Sequence, residues 1–174
     1  MVSEGIHHRG YPGSRVMDLT PHQQSPAPAW PSAIVGEFLV VCLCAEWCGV
    51  CREYRSGFEE LAAQFPAAGF YLLDIEVHAD ELGDLEVENF PTLIIKRQKW
   101  VLFYGSMPPA TSHLRRTLGA FLQQSAEESQ HYAMSSTERR CWQETPDLRR
   151  VNRDQLRSLC EHSDSASSAG PARA

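Results

Sequence analysis

The chain alternates between apolar stretches of two kinds and polar stretches with no apolar rhythm. Phe38-Leu39-Val40-Val41-Cys42-Leu43-Cys44 is continuously apolar and partly β-branched, the pattern of a central strand covered on both faces. From Cys51 to Phe65 the rhythm changes. Tyr54, Phe58, Leu61, Ala62 and Phe65 recur at helical spacing, which predicts one amphipathic helix that Pro66 and Gly69 stop. Phe70 to Ile75 reads as a second central strand and Asp80 to Val87 as a short helix or helical turn. Thr92 to Lys96 reads as a third strand, with Trp100 to Tyr104 pairing back on it as a hairpin. Thr111 to Gln124 carries Leu114, Leu118, Phe121 and Leu122 on one helical face, with Thr111 or Ser112 as its N-cap.

This order of strands and helices predicts an α/β fold, a central mixed β-sheet flanked by helices on both faces. It occupies residues 14–125. Val16, Met17 and Leu19 predict a short first strand, and Pro21, Pro26, Pro28 and Pro31 keep the connection after it irregular. Residues 1–13 are polar and rich in Gly and His, and are expected to be disordered. Residues 126–174 read as a polar extension, partly helical and then disordered. Within it Leu148, Val151 or Asn152, Leu156 and Leu159 give at best a modest apolar stripe, read as one loosely attached helix. Arg139, Arg140, Arg149, Arg150, Arg153 and Arg157, interrupted by acids, read as a solvated mixed-charge face.

Charge and composition narrow the partners. With 16 Lys and Arg against 22 Asp and Glu, the 174-residue chain has a net charge of −6 and no basic patch to hold nucleic acid. Its most apolar run, Phe38 to Ala45, is too short to cross a membrane, and residues 1–12 lack the apolar core of a secretory signal. The expectation is a cytoplasmic monomer with no nucleic-acid or membrane partner. Six cysteines in a chain of this size fit a reducing compartment better than a disulfide-stapled scaffold.

Chemistry concentrates where the first long strand runs into the first helix. In Trp47-Cys48-Gly49-Val50-Cys51, two cysteines three positions apart share one face of a first helical turn. Cys48 faces the positive end of the helix dipole and is the expected nucleophile; Cys51, deeper in the turn, is the expected resolving thiol. The same pair could be half of a zinc site, but that needs a second pair, and Cys141 and Cys160 lack the spacing. Cys42 and Cys44 belong to the apolar run and read as small buried packing residues. His78 and His113 fit no catalytic pattern and read as surface or loop positions.

Through Ala45-Glu46-Trp47-Cys48-Gly49-Val50-Cys51, and through Phe90-Pro91-Thr92 before a strand, the chain resembles the thioredoxin family over roughly Val16 to Gln124. The resemblance implies a thioredoxin fold and a thiol-disulfide oxidoreductase without a bound cofactor. Its partners would be disulfide- or dithiol-containing proteins and a recycling reductase or oxidant. It further implies a cis peptide bond before Pro91, and a substrate groove at Phe90, Pro91 and Thr92. Trp47, Gly49 and Val50 would flank the reactive pair.

The match departs from the family in places. Val50 stands where the family usually has proline, Cys42 where it has a buried aspartate, and Leu72 at the matching lysine position. These losses leave open a second class, a redox-inactive adaptor that binds proteins through its groove or tail.

Overall fold

The computed structural model describes residues 17–18 and 36–166, with side chains from 36 to 159. The readings of residues 1–13, of the proline-containing connection and of the last residues lie outside the described residues. Among the described residues five strands form one sheet: β1 (Met17–Asp18), β2 (Phe38–Cys44), β3 (Ala68–Asp74), β4 (Thr92–Arg97) and β5 (Trp100–Ser106), in the order β1-β3-β2-β4-β5. β2 and β3 are parallel because α1 (Gly49–Gln64) crosses between them, with Cys42 opposite Leu72. β4 runs antiparallel to both β2 and β5, and β1 antiparallel to β3, so the sheet is mixed as expected.

Period-two alternation along the central strands divides the core in two. Phe38, Val40, Cys42, Cys44, Phe70, Leu72, Leu93 and Ile95 face the apolar stripe of α1 and that of α3 (Thr111–Leu122). Leu39, Val41, Leu43, Tyr71, Leu73, Ile94 and Val101 face the other way. That second face is covered by Leu82 of the short α2 (Ala79–Leu82) and by Leu148, Val151 and Leu156 from beyond residue 125.

The C-terminal segment is therefore not one loosely attached helix. It forms α4 (Ala126–Met134), α5 (Thr137–Glu144), α6 (Pro146–Arg150) and α7 (Arg153–Ala166). Ser125 and Glu128 make a reciprocal capping box on α4, Ser136 accepts from Arg139 N on α5, and Pro146 opens α6. Polar contacts fasten these helices to the sheet, among them Arg97 of β4, which donates to Ser129 Oγ on α4 at 3.2 Å. Lys96, buried on β4, donates from Nζ to the carbonyls of Leu148 at 2.8 Å, Arg149 at 3.3 Å and Val151 at 2.6 Å. The Gln143 amide both donates to and accepts from the Val101 backbone, closing the exposed edge of β5 as another strand would. Arg153 donates to Phe38 O at 2.9 Å through space left by Gly69, where a Cβ would lie 2.8 Å from its guanidinium. Arg153 thus leaves the solvated face predicted for it.

The other differences are local. α3 has Ala110 at its N-cap with no side-chain cap, so Thr111 is the first helical residue and packs against Gly57 of α1. α2 ends at Gly83, whose φ of 63° only glycine adopts without strain and whose missing Cβ makes room for Asp147.

Candidate active site

The C-terminal end of β2 delivers the chain to the first turn of α1, and the turn between them is pinned from the neighbouring strand. Asp74, the buried last residue of β3, accepts from Glu46 N and Glu76 N at 2.9 Å each and from Val77 N at 3.4 Å. Ile75 N donates to Cys44 O at 2.9 Å, and Arg52 donates to Glu46 O at 2.9 Å. Two loops are thereby tied into one rigid platform by a carboxylate that the sequence reading did not single out. Its signal was only an acid at the end of an apolar strand.

On this platform Cys48 is the N-cap residue of α1, half-buried and free, while Cys51 lies one turn in on the buried face. Trp47 is 64% exposed, its indole donating to Glu76 at 3.0 Å and meeting the ring of Phe90 edge-on at 5.6 Å. Phe90 and Cys48 pack on the same core cluster, and the Phe90–Pro91 peptide bond is cis. Thr92 begins β4 and donates from its hydroxyl to Asn89 O. Val50 is exposed and Gly49 opens the helix beside it. The fold therefore gathers Trp47, Cys48, Gly49, Val50 and Cys51 at one turn, which Phe90 meets through its contact with Trp47, while Pro91 and Thr92, next in the chain, are buried.

The sulfur pairing corrects one expectation. Cys44 is not a bystander in the strand: it is disulfide-bonded to Cys51, with Cα atoms 5.9 Å apart. The physical reason is register. Cys44 is the last residue of β2 on the face that α1 covers, so its side chain meets the buried side of the first helical turn. Cys42, two residues earlier on the same face, is a free buried thiol whose sulfur lies 3.7 Å from that of Cys44. It behaves as the packing residue expected, and burial pushes its thiol far above the usual range, opposed only in part by Arg55. The Tyr54 phenol is likewise pushed up by burial and then by Cys42. The layer beneath the cysteines is thus largely apolar and keeps Cys42 and Tyr54 neutral, although the charge of Arg55 reaches Cys42.

His78 is buried at the N-cap of α2, in a loop as expected but not at the surface; its Nε2 has no hydrogen-bond partner. No cluster of three or more His, Cys, Asp or Glu able to hold a metal occurs among the described residues.

The family model described as Thioredoxin matches residues 26–110. Thioredoxin-1 of Saccharomyces cerevisiae is 40% identical over 74 residues, which cover 40% of this chain and 68% of that protein. Thioredoxin H-type of Fagopyrum esculentum is 32% identical over 63 residues, covering 36% of this chain and 54% of that protein. Among solved structures, thioredoxin from Trypanosoma brucei brucei aligns with a TM-score of 0.47 and 24% identity, over 53% of this chain and 81% of that one.

Proposed function

From the premise that the chain belongs to the thioredoxin family, we propose that Cys48 attacks the disulfides of protein substrates and that Cys51 resolves the mixed disulfide formed. The protein is a thiol-disulfide oxidoreductase of the thioredoxin type. The observation that carries the assignment of roles is the unequal placement of the two sulfurs. Cys48 is reachable at the helix N-cap, whereas Cys51 is 4% exposed and reachable chiefly from within.

In the reduction of a substrate, the Cys48 thiolate attacks one substrate sulfur and expels the other as a thiolate. Cys51, deprotonated, then attacks the Cys48 sulfur and expels the second substrate thiolate, leaving the substrate two electrons richer and one disulfide in the protein. The exposed Trp47 and the half-buried Phe90 form the surface on which the substrate chain lies, with the buried Pro91 and Thr92 setting the course of the backbone beneath it. A recycling dithiol of a reductase, or in the opposite direction an oxidant, completes the cycle. Six cysteines in a chain of this size fit a reducing compartment better than a disulfide-stapled scaffold, and on that ground we place the working protein in the cytoplasm as a monomer.

The test is insulin reduction by the full chain with dithiothreitol as the terminal reductant. The wild type accelerates the release of insulin thiols and Cys48→Ser loses that acceleration entirely; equal rates with Cys48→Ser would refute the reading.

A further inference from the structure

We propose that Cys44 is a third redox cysteine of this protein, one whose thiolate displaces Cys48 from Cys51 and so returns Cys48 as a free thiol once a substrate has been reduced. The proposal rests on the reading that Cys48 attacks and Cys51 resolves, and extends it by one exchange step.

Three observations meet at Cys51. Its disulfide partner in the structure is Cys44, and the Cα separation of 5.9 Å lies in the ordinary range for such bonds, so the backbone already holds the two residues at bonding distance. On the other side of the same helical turn Cys48 is free and half-exposed. Third, the thiol next in line, Cys42, is held protonated by burial, and its sulfur lies 3.7 Å from that of Cys44, within reach for its S–H to donate. Cys44 therefore has a weak hydrogen-bond donor beside it in an apolar layer, where a carboxylate would have repelled its thiolate.

The step balances without any outside reagent. The Cys44 thiol gives up its proton, its thiolate attacks the Cys51 sulfur of the Cys48–Cys51 disulfide, a Cys44–Cys51 bond forms, the Cys48–Cys51 bond breaks, and the Cys48 thiolate leaves and takes up the proton. One disulfide is lost and one gained, so no electron enters or leaves. The direction follows from where charge is exposed: expelling Cys48 puts a thiolate at the surface, whereas the reverse step expels Cys44 into the core.

The resulting form differs from a simple oxidised pair. Its disulfide joins two sulfurs whose residues are each 4% exposed, out of reach of external thiols, while the attacking thiol stays available. A second substrate disulfide then captures Cys48 as a mixed disulfide that Cys51, already bonded, does not resolve. Such a protein completes one reduction and thereafter holds its next partner until Cys48 re-attacks Cys51 or a dithiol intervenes.

The experiment oxidises the full chain with a limiting amount of insulin, alkylates free thiols with iodoacetamide under native conditions, and maps linked and alkylated peptides by mass spectrometry. It is run on the wild type, Cys44→Ala and the volume-conserving Cys44→Val, each confirmed folded by circular dichroism. The expected result is a Cys44–Cys51 linked peptide in the wild type with Cys48 alkylated at least about tenfold more than in either variant, where Cys48 is bonded to Cys51. A Cys48–Cys51 peptide in the wild type, with insulin thiols released, would overturn the role of Cys44 while leaving the proposed function standing. Absence of both insulin thiols and any new disulfide would overturn the proposed function and this step with it.

Discussion

A single buried carboxylate decides how firmly the reactive turn is held. Asp74 accepts three backbone N–H groups from the two loops around the site, and removing it leaves those donors without their partner. Asp74→Ala is expected to cost about 2 kcal/mol of stability and to slow the attack by Cys48, because the turn before α1 loses its anchor. Urea unfolding with an insulin assay on the same samples checks both effects; unchanged values for each would show that the loops hold themselves. His78 makes a pH prediction at the same scale. Burial lowers its pKa against the opposing pull of Glu81 and Asp74, so the folded state prefers the neutral ring. Stability is then fully present above the unfolded value of about 6.5 and is lost as pH falls through the lower folded value. Urea midpoints at successive pH values should fall more steeply on the acid side for the wild type than for His78→Phe, and parallel curves would contradict this. Residue types and spacing singled out Cys48 and Cys51 in the sequence, and the family resemblance pointed to the cis bond before Pro91. Cys44 and Asp74 were not, because their roles depend on strand register against α1 and on loops brought together from 28 residues apart.

At the scale of elements, continuous apolar runs and helical spacing located β2, β3, β4, β5, α1 and α3 to within a few residues at each end. Errors arose where polar caps carry the information. The α4 signal, Ser125 with Glu128 three residues on, is a local hydrogen-bonding pattern and not an apolar rhythm, so hydrophobic periodicity does not reveal it. Lys96 shows how such helices are held. Burial, with Arg149 second, pushes its ammonium down to about 8, so it stays mostly protonated at neutral pH and supplies donors to three carbonyls around the end of α6. Lys96→Met fills similar space without a donor and is expected to cost about 2 to 3 kcal/mol. Hydrogen exchange should show faster opening of residues 146–156 than of β2; equal protection in both proteins would mean that the clamp adds nothing.

For the whole molecule, the sheet has an apolar face on each side and the C-terminal helices supply much of the cover for one of them. Leu148, Val151 and Leu156 are nearly fully buried there, each contributing about 2 kcal/mol, which together is comparable to the net stability of an ordinary domain. A chain truncated after Ser125 is therefore expected to lose its cooperative thermal transition and to self-associate on size-exclusion chromatography, through uncovered Leu39, Val41, Ile94 and the open edge of β5. A monomeric truncated chain with an unchanged transition would contradict that account. The central claim is that Cys48 is the attacking thiol of a thiol-disulfide oxidoreductase, and trapping tests it most directly. After incubation with insulin, intact-mass measurement of Cys51→Ser should show a long-lived adduct bonded through Cys48, and Cys48→Ser should show none; equal adducts on both variants, or none on either, would contradict the claim.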